Sequence, residues 1–210
     1  MHSWKFDKTV ADRFQREAIT NIPDYERVVN LCLSIAIKRN FYNRNIIDIG
    51  SALGYTVDKF IKAGFYSTTG VESSPDMINS KYCLHPERTI YSDTLPKNHT
   101  YAMAVANWTL HFVKNRESYI KDIYDNLDND GVFILTDKTT QTDDVKEIYY
   151  DFKRSNGIDD AYIYEKEEKL KGYMVTETPE WYIDTLKQTG FSNIQIINSS
   201  LGFVTFYAQK

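Results

Sequence analysis

The residues with the clearest chemical content stand where apolar runs stop. "IIDIGSALG", residues 46–54, carries Asp48 near the end of such a run and then breaks on Gly50 and Gly54. Glycines at these points can let a backbone approach a ligand closely, and a helix starting near Thr56 would turn its free N–H groups toward an anion. The dinucleotide fingerprint asks for further glycines two and five residues after the first. Here those positions hold Ala52 and Tyr55. A plain strand-to-helix turn also accounts for two glycines. Glu72, in "GVESSPDMI", follows about 20 residues after Gly50, where an acid can accept two hydrogen bonds from a ribose diol. Asp93, in "YSDTLP", suits an adenine amino group. Asn107, in "ANWTLHF", brings a side-chain amide, with Trp108 and Phe112 able to wall a pocket. Taken singly, each is an ordinary strand-end polar group or core aromatic. Together they set four polar groups on one edge.

The elements that must position them follow from apolar runs alternating with helical patterns, the mark of a parallel sheet covered on both faces. Strands are expected at "NIIDIG", "STTGVE", "RTIYSD", "YAMAVANW" and "GVFILTD". Crossover helices are expected at "TVDKFIKAG", at "SPDMINSKY" with a serine cap and Pro75 in the first turn, and at "ESYIKDIYDNLDNDG", stopping at glycine. Beyond Asp137 come a tyrosine-rich helix through "VKEIYYDFKRSNG", an irregular charged stretch and a helix at "TPEWYIDTLKQTG". Two strands, "FSNIQIINS" and "GFVTFYAQ", close the chain as an antiparallel hairpin. Two helical segments before residue 41 should pack as a lid or edge. The expected layout is one doubly wound α/β domain over 1–210: a helical N-terminal cover (1–40), a ligand-binding core (41–140), a helical cover (141–190) and the hairpin (191–210).

Bulk properties narrow the chemistry. The 210 residues are 42% hydrophobic and 26% charged with net charge -4, as in an ordinary globular chain. No run approaches the roughly 18 apolar residues of a membrane span, and the N-terminus "MHSWKFDKTVADRFQ" is charged where a signal peptide is apolar. A cytoplasmic protein with no membrane contact is expected. Cys32 and Cys83 lie far apart, and His2, His85, His99 and His111 show no metal-ligand spacing. Reduced thiols and no structural metal are expected. The pI near 5.6 argues against wide phosphate binding and for small-molecule chemistry, while a local basic patch for a nucleic acid stays open.

The constellation resembles the class I S-adenosylmethionine-dependent methyltransferases, with their Rossmann-like, mostly parallel seven-stranded sheet and C-terminal antiparallel hairpin. More narrowly, "FDKTVADRF", "IPDYERVV", "DIGSALG", "NWTLHFV" and especially "YYDFKRSNG" resemble the carboxy-S-adenosylmethionine synthases of bacterial wobble-uridine modification. The resemblance implies a cofactor held by Tyr25, by Gly50, Ser51 and Ala52, by Glu72 and Ser73, by Asp93 and Thr94, and by Asn107. It also implies a homodimer. After "DFKRSNG" that family has a lysine-arginine pair whose arginine grips the extra carboxylate of the carboxylated cofactor; this chain has Lys166 and Glu167. A glutamate cannot donate and repels a carboxylate, and losing a buried charge partner costs about 3–5 kcal/mol. Lys166, Lys169 or Lys171 could replace the arginine if the loop shifts. A solvated helix face is the plainer reading of "EKEEKLKG".

The function expected is therefore methyl transfer from S-adenosylmethionine to a small acceptor, with S-adenosylhomocysteine as product. The alternatives are the carboxy-S-adenosylmethionine synthase itself, acting with prephenate, and a module that binds S-adenosylmethionine without transfer. A nicotinamide dehydrogenase comes last, because its fingerprint is broken. The sulfonium needs alignment more than a base. For a protic acceptor His111, Asp137, Tyr149 and Tyr150 are conceivable bases, with a structural role the plainer reading of each. Gly50 is expected to give close approach to the aminoacyl end, with Asp48 fixing the turn or the ammonium group. A valine at position 50 should then abolish binding and leave the sheet folded.

Overall fold

The computed structural model describes residues 5–96 and 99–210; His2 lies outside them. Ile46–Ile49 forms β1, every residue of it buried, as a strand covered on both faces requires. Around it lie β2 (Thr68–Glu72), β3 (Thr89–Tyr91), β4 (Tyr101–Asn107), β5 (Leu127–Lys138), β6 (Ser192–Ser200) and β7 (Phe203–Gln209). They form one seven-stranded sheet in the order β3-β2-β1-β4-β5-β7-β6. The first five pair in parallel. β7 runs antiparallel between β5 and β6, so the expected mostly parallel sheet with a closing hairpin is the one observed. Strand order reverses beside β1, between β2 and β4, and that reversal opens a crevice at the strands' carboxyl ends.

Nine α-helices are described: α1 (Lys8–Ala11), α2 (Phe14–Asn21), α3 (Tyr25–Lys38), α4 (Tyr55–Lys62), α5 (Pro75–Ile78), α6 (Arg116–Asp125), α7 (Asp143–Ser155), α8 (Asp160–Leu170) and α9 (Pro179–Thr189). One core joins β4 and β5 to α6 and α9 through Ile120, Phe133, Leu186 and Phe206. On the other face Cys32, Phe60, Phe65 and Met103 pack α3 and α4 against the sheet. Side-chain caps mark several starts: Ser74 accepts from the Met77 N–H, Thr142 from Val145, Asp159 from Tyr162 and Thr178 from Trp181.

Three expectations change. The helix expected to run to Gly131 stops at Asp125, because Leu127 enters the core and starts β5 opposite Tyr101. A bulge then absorbs the "DND" stretch, whose Asp128 and Asp130 are clamped by Arg44 at 2.7 and 2.8 Å. The charged stretch read as irregular contains α8, which Asp159 caps. The N-terminal cover has three helices, not two, since Asp12 and Arg13 interrupt its first part.

Candidate functional site

The carboxyl ends of β1, β2, β4 and β5 open into a cavity of about 520 Å3, roofed by α1–α3 on one side and α7 and α8 on the other. That volume lies in the roughly 300–1,000 Å3 range of small-molecule pockets. Nine of the ten residues expected to hold a cofactor line it: Tyr25, Asp48, Gly50, Ser51, Ala52, Glu72, Ser73, Asp93 and Asn107. Thr94 is exposed and stands outside the wall, its N–H donating to Ser92 Oγ at 3.1 Å.

The turn after β1 is tied to β2. The Gly50 and Ser51 N–H groups both donate to the Val71 carbonyl, at 2.8 and 3.0 Å. The Ala52 N–H donates to Glu72 Oε2 at 2.9 Å, and the Ser74 N–H to Oε1 at 2.8 Å. Glu72 therefore braces the turn, and its remaining lone pairs stay available to a ligand diol. Burial raises its pKa, opposed by these backbone donors. Asp48, at the end of β1, is pushed up to about 8 by burial and then by the charge of Glu72, while Thr56 opposes the shift.

Gly50 lines the cavity and has a packing reason besides the one expected. Its φ is +70°, and a Cβ there would stand 2.2 Å from Thr109 Oγ1. That hydroxyl is 3.0 Å from the carbonyls of both Ile49 and Asn107. Glycine is required for packing inside the scaffold, so a valine at position 50 would damage the turn itself.

Trp108 follows Asn107 in a left-handed conformation, φ +56°, which costs a residue with a large side chain energy and clusters at functional sites. It stacks on Tyr25 with centroids 4.6 Å apart and planes 23° apart. Asn107 Nδ2 donates weakly to Cys32 Sγ at 3.7 Å. Asn107 Oδ1, Ser51 Oγ and Trp108 Nε1 are buried without a hydrogen-bond partner among the described residues. Two unmet acceptors, Asn107 Oδ1 and Ser51 Oγ, beside the carboxyl groups of Asp48 and Glu72 suit a ligand rich in donors and positive charge, while the Trp108 N–H is left for an acceptor. S-Adenosylmethionine, with its ammonium, sulfonium and ribose hydroxyls, has that character, so the residues present fit it.

Of the four conceivable bases, Asp137 is fully buried and does not reach the cavity. One of its oxygens accepts from Tyr182 O–H at 2.6 Å, and the other lies 2.5 Å from His111 Nδ1. Arg116 in turn donates to Tyr182 Oη at 2.9 Å and to the Val175 carbonyl at 2.6 Å. His111 is thus the cavity-facing end of a buried polar chain. Tyr149 donates to the Asn21 carbonyl at 2.9 Å, and Tyr150 to Glu167; burial raises the pKa of both, Tyr150 to about 12.

Glu167 lines the cavity and is held by Lys146 as well as Tyr150. Burial pushes its carboxyl up, but those two partners and the charges of Lys146 and Lys138 outweigh it, and the pKa falls. Lys166 pairs with Glu17 of α2 at 2.9 Å. Sequence reasoning missed Lys138 and Lys153, which both line the cavity. The signals were present: Lys138 ends the fifth parallel strand, and Lys153 sits one helical turn from Tyr149 and Tyr150.

Sheet order, hairpin and crevice together define a class I methyltransferase fold, and solved structures agree. Magnesium protoporphyrin IX methyltransferase from Synechocystis with bound S-adenosylhomocysteine superposes with a TM-score of 0.70, at 12% identity over 98% of this chain and 96% of its own. An S-adenosylmethionine-dependent methyltransferase from Archaeoglobus fulgidus gives 0.58, at 14% identity over 87% and 94%. The chain belongs to the methyltransferase-domain family, whose model matches residues 15–195. Over 99% of its length it is 33% identical to the carboxy-S-adenosyl-L-methionine synthase of Nautilia profundicola, covering 94% of that protein. Its identity to the synthase of Nitratiruptor sp. is 27%, over 99% and 93%. The transferase class and the S-adenosylmethionine cofactor expected from the sequence stand on this membership. No helix among the described residues is long and apolar enough to cross a membrane.

Proposed function

We propose that the chain transfers the methyl group of S-adenosylmethionine to a small acceptor taken under the α7 and α8 cover. The observation that carries this reading is the polarity of the cavity. Carboxylates and an unmet amide oxygen stand at the β1, β2 and β4 ends, and aromatic rings and lysines at the other. Bound there, the cofactor supplies an electrophilic methyl carbon on sulfur. Asp48 and Asn107 Oδ1 would take the ammonium, Glu72 the ribose hydroxyls, and Trp108 stacked on Tyr25 would exclude water from the reacting end.

A second reading, the carboxy-S-adenosylmethionine synthase reaction, is favoured by the whole-length likeness to proteins of that name. Glu167 in place of the family arginine weighs against it, yet two cations stand on the same wall. Native mass spectrometry of the freshly purified chain, followed by release of its ligand, separates the two. S-Adenosylmethionine or S-adenosylhomocysteine supports methyl transfer. A ligand about 44 Da heavier than S-adenosylmethionine, the mass of an added carboxyl group, supports the synthase. Failure to bind either nucleoside on direct addition overturns both.

A further inference from the structure

The side-chain amide of Asn107 can face the cavity with its oxygen or with its nitrogen, and that choice decides what it can hold. Its backbone is fixed, paired with Thr136 of β5 and with its carbonyl 3.0 Å from Thr109 Oγ1. The side chain, in contrast, has a single polar contact among the described residues. Nδ2 donates to Cys32 Sγ of α3 at 3.7 Å, and Oδ1 is buried with no partner. Cys32 is fully buried in the core that holds Ala36, Phe60 and Met103, and it does not line the cavity. Burial, helped by the charge of Asp48 and opposed by the Asn107 amide, pushes its thiol up to about 12, so the sulfur is uncharged at neutral pH. Asp48 and Asn107 thus both act on one thiol, which stands behind the two groups that face the ammonium end of the cofactor. A small apolar side chain would fill the same space on α3, but it would offer no lone pair. The sulfur bond is weak, yet what it selects is not: turned over, the amide would set two N–H donors against an ammonium in place of an acceptor.

We propose that Cys32 is a positioning residue for the cofactor: its sulfur holds the Asn107 amide with Oδ1 toward the cavity, where that oxygen accepts from the ammonium of S-adenosylmethionine. Cys32 itself touches no ligand. Its effect is confined to the amine, because the ribose and the thioether meet other residues. The inference deepens the cofactor reading and rests on it for the placement of the ammonium at Asp48 and Asn107.

The test is calorimetric titration of the full chain with S-adenosylhomocysteine and with its desamino analogue, which keeps the nucleoside, thioether and carboxylate and lacks only the amine. The ratio of the two affinities reads the amine alone, and a packing defect that weakens both ligands equally leaves it unchanged. In the wild type the amine should strengthen binding about tenfold or more, as a charge-assisted hydrogen bond does. Cys32→Val, which fills the space without an acceptor, should lower that ratio about threefold or more. Cys32→Ala gives the same comparison with a smaller side chain, and Cys32→Ser, which keeps a lone pair, should retain most of the wild-type ratio. An unchanged ratio in the valine and alanine variants, or a drop in the serine variant as large as theirs, would overturn the proposal. A wild type that binds both ligands equally would overturn the placement of the ammonium and the proposal with it. One that binds neither would overturn the cofactor reading itself.

Discussion

Asp48 shows how one carboxyl reports on the ligand. Its pKa is raised to about 8 in the folded chain, against about 4 when unfolded, so the native state holds a proton that the unfolded state releases. Its contribution to stability is therefore lost as pH rises from about 4 through about 8. In urea denaturation the chain without ligand should lose more than ~1 kcal/mol between pH 5 and pH 8. Asp48→Asn should at least halve that difference. A cationic ligand reverses the preference, and S-adenosylmethionine binding near pH 7 should release a proton, visible as a buffer-dependent enthalpy. Two residues on, Gly50→Ala combines left-handed strain with a clash on Thr109 and should cost more than ~2 kcal/mol, measured by the same denaturation.

Among the elements, α8 depends on contacts outside itself. Asp159 caps it, Arg154 of α7 reaches Asp160 at 2.7 Å, and Lys166 is held by Glu17. Glu17→Gln leaves Lys166 without its carboxylate, so hydrogen exchange across 160–170 should speed up about tenfold, or ~1.4 kcal/mol, with the sheet unchanged. This element was also the hardest to read in sequence. Its apolar residues cluster in the first turn and charges fill the rest, so no apolar stripe runs its length, and part of what holds it is α2, about 150 residues away along the chain. The strands were legible because burial on both faces makes them continuous apolar runs, as "YAMAVAN" does in β4. The boundary at Asn126 was not, since only the tertiary placement of Leu127 decides that "LDND" leaves the helix. In the site, the strand-end polar residues could be read from their position in a doubly wound sheet. The clash that Gly50 avoids with Thr109 and the meeting of Lys138 and Lys153 over the Tyr149 ring could not, because each depends on a neighbour from a distant segment.

At the scale of the whole molecule, the cavity joins both covers to the sheet. A ligand that binds only the folded chain adds about 2.7 kcal/mol at a hundred times its dissociation constant. S-Adenosylhomocysteine at that level should raise the melting temperature and slow hydrogen exchange around Tyr25 and around Tyr149 together. Protection confined to the sheet would mean that the covers do not close on the ligand. The buried chain from Arg116 through Tyr182 to Asp137 has a separate role, fastening α6 and α9 to the end of β5. Tyr182→Phe should cost about 1–3 kcal/mol by leaving buried groups unpaired, without changing the cofactor's affinity.

The bonds between the two covers span very long stretches of chain: Tyr149 to Asn21, Asn156 to Thr20 and Lys166 to Glu17. A ribosome releases the first cover well before its partners exist, and loop closure over such separations is slow. During synthesis the N-terminal helices must wait beside a growing sheet, and Tyr25 reaches its place against Trp108 only when that sheet has formed. The binding chamber is thus assembled late, and because Phe203 of β7 belongs to its wall, nascent chains should acquire full affinity for the nucleoside only after β7 has emerged.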